Sequence, residues 1–416
     1  MTHYAGTETP TGERATAGSD AIAMSIGQLP ESADVVVVGA GIIGASVTFT
    51  LTERTDTDVL LLERGQVASG STGDSSSIIR HHYGDEAIYS RMAWWSHEFF
   101  RTFEERTGEQ IAYATAPMVN FATAENAEWV AAGQAVLEAE DIPVSRYEAA
   151  ELPDVYPMLG TEQYEFAVSD DAAAYSDATD VTGGLVRAAQ ENGATVHTGV
   201  TVESIEESEG SVEGVTTDQG QIATDTVVVA AGPWTQRLLG PLGVDVPVTT
   251  TREQIFLLDP PPAFAEDSLE DLPTSGTGGG WYIRPDFGDG VLLATHHTGE
   301  AVDPDRYSDK PDQALLLDLL DGLEEFVPGL ADAGVMGEYC GIYSTTPDHD
   351  FIIDEVGPDG CVVACGFSGH GFKHGPAVGR IVVDLLTEGA TDMVDLEYFS
   401  LDRFEDDPQG NGVPQE

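Results

Sequence analysis

Basic residues are scarce in this chain of 416 residues, which has 17 Lys and Arg against 73 Asp and Glu and a formal net charge of −56 at pH 7. Lysine is especially rare, with only Lys310 and Lys373. Nucleic acids and anionic membranes are both bound through clusters of Lys and Arg. The composition therefore argues against a nucleic-acid partner and against a role at an anionic membrane surface.

The acidic residues are spread along the chain rather than gathered in one tail. Repulsion among so many like charges destabilises a compact protein unless salt screens it. Acid enrichment with lysine depletion resembles the composition of proteins from halophilic archaea, whose cytoplasm is rich in salt. We therefore expect a cytoplasmic protein of that type, with an unusually acidic mesophilic protein as the alternative.

Cysteines and long apolar runs are also scarce. Cys340, Cys361 and Cys365 fit no zinc-site spacing and make no disulfide framework, so no metal site is expected. No apolar run is long enough to span a bilayer. Residues 1–30 lack the basic and apolar regions of a signal peptide and predict a disordered leader, and residues 405–416 predict a disordered tail.

A strand, a glycine-rich turn and a helix open the folded part of the chain. Four consecutive valines, residues 35–38, predict a strand buried on both faces. Gly39, Gly41 and Gly44 then fit G-x-G-x-x-G. In this pattern the first glycine permits a tight turn, the second lets the backbone approach a pyrophosphate, and the third lets helix and strand pack closely.

An acidic residue ends the next predicted strand. Residues 59–62 form a second short apolar run, and Glu63 follows at the position where a carboxylate would hold a ribose hydroxyl. Strand, turn, helix, strand and acid together predict a dinucleotide site in a Rossmann-like unit. They do not distinguish FAD from NAD.

Three later segments have the character of ligand-binding turns. Residues 70–84 are rich in small hydroxyl residues, and Arg80 follows an apolar pair within them. A buried strand over residues 225–231 runs into Gly232, which would let a bulky ligand lie against bare backbone. A glycine-rich turn over residues 366–376 precedes a helix predicted from about Ala377, whose N-terminus could face an electron-rich ligand atom.

The segments between these turns predict a second kind of architecture. Residues 86–107 predict a helix with an apolar stripe that is more often core than a cofactor site. Residues 245–300 alternate like antiparallel strands, and residues 312–326 predict an amphipathic acidic helix.

The whole set of motifs resembles a known family. The N-terminal G-x-G-x-x-G, the segment Val-Val-Val-Ala-Ala-Gly-Pro-Trp ending at Trp234, the run Ile-Ile-Arg-His around Arg80, and Gly-Phe-Ser-Gly-His-Gly-Phe-Lys ending at Lys373 resemble the FAD-dependent amine oxidoreductases of the D-amino-acid oxidase superfamily. Within it the chain is most similar to sarcosine oxidases, both the monomeric enzyme and the β subunit of the heterotetrameric one. The likeness covers roughly residues 33–400.

The resemblance implies an α/β (α+β) fold with a Rossmann-like FAD-binding domain and a mostly antiparallel-sheet substrate domain inserted discontinuously. We expect residues 31–90, 165–243 and 331–400 to form the FAD-binding domain, and residues 91–164 and 244–330 the substrate domain. The implied reaction is oxidation of the C–N bond of a secondary or N-methylated amino acid by hydride transfer to flavin N5, followed by imine hydrolysis.

The resemblance also implies roles for individual residues. Arg80 and Lys373 take the positions that bind the substrate carboxylate, which suits a fork donor and a point charge. Tyr282, His297 and Tyr343 take pocket positions beside the flavin, with His297 as the residue that influences the proton on the amine. Core aromatic residues or a satisfied histidine are the alternative interpretation of these three.

The remaining expected residues surround FAD. They are Gly39, Gly41, Ile43, Gly44, Glu63, Arg64, Ser71, Thr72, Ser76, Val202, Ala231, Gly232, Trp234, Gly341, Gly369, His370, Gly371, Phe372 and Lys373.

Two departures from the family pattern affect the expected chemistry. Leu293 stands where a lysine assists the reaction with oxygen, which predicts slow reoxidation and a dehydrogenase with another electron acceptor. Gly341 stands where a cysteine binds FAD covalently, and Cys340 is one residue away. A shift of one residue reverses the direction of a side chain on a strand, so non-covalent FAD is expected.

Other functions on the same fold stay open at this point. They are a D-amino-acid, proline or 2-hydroxyacid dehydrogenase or oxidase, and a flavin-binding subunit of a larger complex. The expected partners are a small amino-acid substrate and an electron acceptor, either oxygen or an electron-transfer protein.

Overall fold

The computed structural model of the chain describes residues 28–276, 280–296 and 299–406. Most of the predicted leader and tail, and the predicted pocket residue His297, lie outside these described residues. Every helix within the described ranges is too short or too polar to cross a membrane.

The strands, numbered in chain order, are β1 (Val35–Val38), β2 (Val59–Glu63), β3 (Ile78–Ile79), β4 (Tyr113–Thr115), β5 (Met118–Ala122), β6 (Val144–Glu148), β7 (Phe166–Asp170), β8 (Ala174–Ser176), β9 (Thr195–Thr198), β10 (Val202–Ser208), β11 (Ser211–Thr217), β12 (Gly220–Ala223), β13 (Thr226–Val229), β14 (Thr249–Asp259), β15 (Thr274–Gly276), β16 (Trp281–Asp286), β17 (Gly290–Thr295), β18 (Gly334–Thr345), β19 (Ile352–Glu355) and β20 (Cys361–Cys365).

The α-helices are α1 (Ile42–Arg54), α2 (Ala87–Arg101), α3 (Phe103–Thr107), α4 (Ala127–Ala139), α5 (Leu152–Val155), α6 (Ala178–Glu191), α7 (Thr235–Leu239), α8 (Pro262–Asp267), α9 (Gln313–Phe326), α10 (Gly371–Glu388) and α11 (Arg403–Asp406).

A mostly parallel sheet carries the N-terminal motif. Its strand order is β19-β20-β13-β1-β2-β9, and only the edge strand β19 runs antiparallel to its neighbour. The four valines of β1 are buried, as expected for a central strand covered on both faces. Helices α1, α6 and α10 pack on one face, and the antiparallel meander β10-β11-β12 covers the other. These layers confirm the predicted Rossmann-like architecture.

A second, larger sheet has the strand order β18-β14-β17-β16-β15-β5-β7-β6. Its pairs are antiparallel apart from β15 and β5. One face packs on α9, where Phe256 and Leu293 of the sheet join Leu319 and Leu323 of the helix in one apolar cluster. The opposite face is turned toward the parallel sheet. The combination confirms the predicted α/β (α+β) class.

Two strands pair outside the domain ranges expected for them. Strands β7 and β18 lie within residues 165–243 and 331–400, which were expected in the FAD-binding domain, but both belong to the large antiparallel sheet. Strand β18 pairs with β14 along almost its whole length, from Thr345 opposite Thr249 to Gly334 opposite Asp259. Alternating apolar residues predict a strand, but they do not identify the partner with which it pairs.

Helix α10 begins earlier than the sequence predicts, at Gly371 instead of near Ala377, and contains Pro376 in its second turn. A proline inside a helix cannot donate a hydrogen bond to the preceding turn. Close packing on α1 offsets this cost, because Gly375 lies so near Ile42 that an added Cβ would be 2.5 Å from its Cγ1 atom. The residues expected in a loop before the helix therefore form its first turn.

Candidate active site

A cavity of about 290 Å³ is lined by both sheets. The parallel sheet contributes the carboxyl ends of β1, β2 and β13, and the antiparallel sheet contributes residues of β14, β16 and β18. In open α/β folds ligands bind outside the carboxyl ends of parallel strands, so this is the expected position of a cofactor site.

The glycine-rich turn leaves no room for side chains. Gly39 has φ +104°, and a Cβ there would lie 2.5 Å from the carbonyl oxygen of Ala230. A Cβ on Gly44 would lie 1.9 Å from the carbonyl oxygen of Gly39, so α1 packs directly on the turn. The turn and the first residues of α1 line the cavity. Backbone N–H groups at such a helix start suit a pyrophosphate.

The carboxylate of Glu63 is held in place at the end of β2. Its Oε2 atom accepts a hydrogen bond from the amide of Ala40 at 2.8 Å, and its Oε1 atom accepts one from Gly65 at 2.6 Å. Carboxylate oxygens can each accept more than one hydrogen bond. Glu63 lines the cavity and is therefore positioned to accept hydroxyl groups of a ribose.

Hydroxyl groups of the segment after β2 face the same cavity. Thr72 accepts a hydrogen bond from the amide of Ile42 at 3.1 Å, which ties the segment to the start of α1. The buried hydroxyl oxygen of Ser71 has no hydrogen-bond partner among the described residues. A polar atom of this kind, beside a glycine turn and an oriented carboxylate, fits a polar cofactor such as a dinucleotide.

A charged and aromatic cluster forms part of the cavity wall. The guanidinium of Arg64 stacks 3.7 Å above the ring of Trp234. Asp305 accepts a hydrogen bond from the indole nitrogen of Trp234 at 2.8 Å and pairs with Arg237 and with Arg64. Asp305 belongs to the segment between β17 and α9, so this cluster joins that segment to the wall of the cavity. We name these four residues the Asp305 clasp.

The N-terminus of α10 approaches the cavity from the parallel sheet, where Gly369, Gly371 and Phe372 line it. The ring of Tyr343 packs on Gly369, since a Cβ there would lie 2.5 Å from the ring. A helix of 18 residues presents the positive end of its dipole here. The site is therefore suited to a ligand atom that carries negative charge.

Two tyrosines of the antiparallel sheet form the opposite wall. Tyr282 of β16 and Tyr343 of β18 both line the cavity. Burial raises the pKa of each phenol above its usual value of 10.0, and for Tyr343 the rise is large. Both phenols therefore stay protonated at neutral pH and add no negative charge to the cavity.

Two cations lie side by side next to Tyr343. Lys373 is 6% exposed, and burial, followed by the nearby charge of Arg80, lowers its pKa well below the usual range. Arg80 stacks 4.1 Å from the Tyr83 ring and donates a hydrogen bond to the carbonyl of His82. Neither cation has an ion pair with a carboxylate in the described part of the chain. Most other arginines of the described chain do have one, so the charge of this pair is not matched by a neighbouring carboxylate.

Most of the predicted residues meet in this one cavity. Those that line it are Gly39, Gly41, Ile43, Glu63, Arg64, Ser71, Thr72, Ser76, Val202, Ala231, Gly232, Trp234, Tyr282, Gly341, Tyr343, Gly369, Gly371 and Phe372.

Gly44, His370, Arg80 and Lys373 do not line it. Gly44 packs directly against Gly39 of the glycine turn. The His370 ring packs among aromatic residues such as Phe351. Arg80 and Lys373 lie just beyond the wall that Tyr343 forms.

His296 was not anticipated, although it precedes the predicted His297. Its ring lies 5.8 Å from that of Tyr282, and burial and the charge of Arg80 lower its pKa to about 4. It follows β17 on the same side of the sheet as Tyr282, because Tyr282 pairs with Ala294 two residues earlier. Its position beside the predicted His297 was the available signal.

Two acidic residues of the cavity were also missed. Asp74 lies against Gly341, whose added Cβ would be 3.0 Å from the Cβ of Asp74, and burial raises the pKa of Asp74 to about 6. Glu253 lies in β14 and is 1% exposed. Glu253 lies in the polar half of β14, between Arg252 and Gln254, and Asp74 lies in a loop, so no local signal pointed to either residue.

The two departures from the family pattern have clear structural positions. Gly341 lines the cavity, while Cys340 is buried in contact with Arg252, as expected for neighbouring residues that face opposite sides of β18. Leu293 packs in the cluster around α9, and its neighbour Leu292 lies on the face that carries Tyr282. Neither leucine brings a positive charge to the cavity.

Comparison with known proteins identifies the family of this chain. Residues 34–385 match the family described as FAD dependent oxidoreductase (DAO). The chain is 28% identical over 382 residues to a monomeric sarcosine oxidase from Bacillus sp. (strain B-0618), covering 89% of this chain and 96% of that protein. It is 26% identical over 386 residues to N-methyl-L-tryptophan oxidase from Yersinia pestis (strain Pestoides F), covering 89% of this chain and 99% of that protein.

Solved structures show the same fold. L-proline dehydrogenase from P. horikoshii superimposes with a TM-score of 0.82 and 24% identity, over 91% of this chain and 99% of that one. Glycine oxidase from Geobacillus kaustophilus superimposes with a TM-score of 0.77 and 24% identity, over 89% of this chain and 99% of that one. With the glycine turn, Glu63 and the cavity described above, these matches show that the chain belongs to the DAO family of FAD-dependent oxidoreductases and that its cofactor is FAD.

Proposed function

We propose that this protein oxidises the C–N bond of a secondary or N-methylated amino acid and works as a dehydrogenase. The observation that carries the proposal is the pair of cations, Arg80 and Lys373, which lie next to the cavity wall without a carboxylate partner among the described residues. When bound, FAD supplies the acceptor for a hydride equivalent.

The two cations would bind the substrate carboxylate. The planar guanidinium of Arg80 offers a fork of donors, and the ammonium of Lys373 offers a point charge. A carboxylate between them would offset the burial and the repulsion from Arg80 that lower the pKa of Lys373. Fixing one end of a small substrate in this way orients the carbon next to the nitrogen, which is the contribution of the protein to a reaction performed by a cofactor.

The remaining wall residues would enclose the reacting carbon and nitrogen. Tyr282 and Tyr343 stay protonated, so they exclude water without adding charge. The nitrogen must be unprotonated when the bond is oxidised. His296 is neutral at neutral pH because its pKa is lowered to about 4, and it therefore adds no cation beside the amine. His297, expected to influence the same proton, keeps that proposed role.

Substrate reduction of the flavin tests the proposal. The FAD-loaded protein is mixed anaerobically with sarcosine, proline, D-alanine or 2-hydroxyglutarate, and loss of flavin absorbance is followed. We expect the secondary amino acids sarcosine and proline to reduce the flavin fastest. Reduction by 2-hydroxyglutarate alone would contradict the proposal, and the absence of reduction by any compound would favour a flavin-binding subunit.

L-Proline dehydrogenation is the second candidate, and the fold shared with the P. horikoshii enzyme at a TM-score of 0.82 favours it. Proline is itself a secondary amino acid, so the same carboxylate site would serve. The rates with sarcosine and proline in the experiment above separate the two.

Reoxidation tests the assignment as a dehydrogenase. With Leu292 and Leu293 in β17, no positive charge from this strand assists oxygen, so we expect the substrate-reduced protein to reoxidise slowly in air. The variant Leu292→Lys, which places an ammonium on the face that carries Tyr282, should reoxidise faster. Stopped-flow absorbance measures both rates, and a wild-type rate as fast as that of an efficient oxidase would contradict the assignment.

A further inference from the structure

A fully buried carboxylate lies outside the cavity, and no step proposed so far uses it. Asp170 is the last residue of β7 and is 0% exposed. It lies between two neighbouring strands, opposite Met118 of β5 and Val144 of β6. A buried acid is costly unless it is paired, so its presence in the interior of a sheet calls for a specific reason.

The partner of Asp170 is His81, the residue that follows Arg80. The Oδ2 atom of Asp170 accepts a hydrogen bond from the backbone amide of His81 at 2.6 Å, and both carboxylate oxygens lie 3.0 Å from Nδ1 of the imidazole. Burial acts to raise the pKa of Asp170, but its interactions with His81 outweigh burial, and the pKa is lowered. The carboxylate is therefore ionised at neutral pH, and Nδ1 of His81 is the donor in this contact.

The imidazole of His81 is also enclosed by α2. Its ring centroid lies 5.2 Å from that of Trp94 and 5.0 Å from that of His97, and His81 is 0% exposed. A side chain packed between a strand and a helix in this way cannot change its place without moving its own backbone. Asp170 and His81 therefore fix the backbone next to Arg80, from which the Arg80 side chain extends.

The other contacts of Arg80 are mostly with its own segment. Strand β3 ends at Ile79, one residue earlier, and pairs with β8 over only two residues. The guanidinium stacks on Tyr83 and donates a hydrogen bond to the carbonyl of His82. The ring of His82 lies 3.0 Å from the carbonyl oxygen of Val130, which gives the segment a second anchor. The position of Arg80 thus depends on how the segment is fastened.

That position determines how well the charge of Arg80 acts in the cavity. Arg80 lies behind the cavity wall rather than in it, yet its charge acts on Tyr343 of that wall and on Lys373. Bidentate hydrogen bonding between a guanidinium and a carboxylate needs a specific geometry. A displacement of about 1 Å is enough to lose much of the benefit of such an alignment.

We propose that Asp170 is a positioning residue for carboxylate binding, which acts through His81 on Arg80. This inference rests on the proposed function, because it takes Arg80 to be a ligand of the substrate carboxylate. It adds a residue of the antiparallel sheet to that site. Carboxylate affinity is then set in part by a group that the ligand never touches.

Replacement of Asp170 tests the proposal. Asp170→Ala removes both acceptors of His81 and should weaken acetate binding by roughly 5- to 20-fold, because a displaced guanidinium loses part of its contact with the ligand. Acetate affinity is measured from the flavin absorbance of the FAD-loaded protein. Asp170→Asn keeps an oxygen acceptor for the amide of His81 and should retain more of the affinity. Asp171→Ala is the matched control and should change nothing, since Asp171 accepts hydrogen bonds from Ser145 and Ser169 instead.

A double-mutant cycle separates positioning from a general loss of structure. If Asp170 acts through Arg80, Asp170→Ala should cause less than about twofold further loss of acetate affinity in the Arg80→Met background. A merely structural role predicts the full loss in both backgrounds. The dissociation constant of FAD, measured separately, should be the same in every variant and reports on correct folding.

Variants of His81 give the same answer if Asp170→Ala does not fold. His81→Asn keeps an N–H donor for the carboxylate and should preserve acetate affinity. His81→Leu lacks that donor and should lose affinity as Asp170→Ala does.

Two results would overturn the inference. One is unchanged acetate affinity in both Asp170→Ala and His81→Leu, and the other is an equal loss in the wild-type and Arg80→Met backgrounds. Unchanged acetate affinity in Arg80→Met would refute the carboxylate site and the inference together. If no amino acid reduced the flavin of the wild-type protein, the proposed function alone would fail, because the acetate cycle would still decide the role of Asp170.

Discussion

Lys373 is rare in the sequence and buried in the structure. It is one of two lysines in the chain, it lies in the first turn of α10, and burial and Arg80 lower its pKa. A lysine under such repulsion regains its proton most readily when an anion binds beside it. Binding of a carboxylate should therefore be coupled to the uptake of a proton.

Replacing Lys373 with Met should weaken carboxylate binding by roughly 10- to 100-fold, because a charged hydrogen-bond donor is lost. FAD should remain bound. Acetate affinity, measured from flavin absorbance, checks the first statement, and the FAD dissociation constant checks the second. Lys310→Met is the matched control, since Lys310 is exposed. Unchanged acetate affinity in Lys373→Met would contradict the assignment.

The pH dependence of acetate binding gives the same residue a second test. Only protonated Lys373 attracts a carboxylate, so wild-type affinity should fall as pH rises through its lowered pKa, below the usual 10.5. Lys373→Arg carries a charge at every accessible pH and should bind acetate with little dependence on pH in that range. A parallel decline in wild type and Lys373→Arg would show that another group titrates.

Cys340 and Gly341 decide how FAD is attached. Gly341, which lines the cavity, offers no nucleophile, and burial raises the pKa of the Cys340 thiol on the opposite face of the strand. A thiol with a raised pKa is a weak nucleophile. We expect acid precipitation to leave all flavin absorbance in the supernatant. Flavin on the washed pellet would show a covalent bond, and its loss in Cys340→Ser would identify the residue.

At the scale of secondary-structure elements, Asp305, which precedes α9, is joined to the cavity wall by the Asp305 clasp. Asp305 holds Trp234 and Arg237, both of which line the cavity. The carboxylate thus connects a segment of the antiparallel half to the cofactor wall. Such a contact should slow the escape of a cofactor.

Asp305→Asn should weaken FAD binding by about 2- to 10-fold, mainly through a faster dissociation rate, as expected for one partly exposed hydrogen-bonding group. The rate is measured from the fluorescence of FAD released on dilution. Asp309→Asn is the control, because Asp309 is an exposed carboxylate of the same segment that takes no part in the clasp. Equal effects of both variants would indicate loss of surface charge rather than of the clasp.

The elements also show what the sequence could and could not predict. Local signals were sufficient for β1, the glycine turn and Glu63, because consecutive valines, close backbone approach and strand-end position are properties of neighbouring residues. The start of α10 was predicted six residues late, because packing of Gly375 on α1 outweighs the preference of Pro376 for a helix start. That packing partner is distant in sequence.

The same distinction explains the site residues. Arg80, Tyr282 and Tyr343 were predicted from the family resemblance, but Glu253 and Asp74 were not, because the motifs that carry the resemblance do not contain them. Their place in the cavity depends on long-range packing: the register of β14 with β18 brings Glu253 opposite Gly341, and Asp74 lies against the same glycine. Site residues supplied by long-range strand pairing are therefore the ones that a single sequence conceals.

At the scale of the whole molecule, the distribution of charge is the dominant feature. Many arginines join distant elements through partly exposed ion pairs, such as Arg91 with Glu140 at 2.7 Å and Arg106 with Glu53 at 2.7 Å. Exposed pairs of this kind each contribute only about 0–1 kcal/mol. With 73 acidic residues against 17 basic ones, most carboxylates have no cation to pair with. Repulsion among them should lower stability whenever it is not screened.

Added salt should therefore stabilise the protein. Raising KCl from 0.1 to 1 M shortens the Debye length from about 10 to 3 Å, which screens repulsion between neighbouring surface carboxylates. We expect the midpoint of thermal unfolding, measured by circular dichroism, to rise by on the order of 5–10 °C, equivalent to a few kcal/mol in a protein of this size. Because screening saturates, most of the rise should occur below 1 M. A midpoint that does not change over this range would contradict the argument, and a rise that continues linearly to 3 M would point to exclusion of salt from the surface instead.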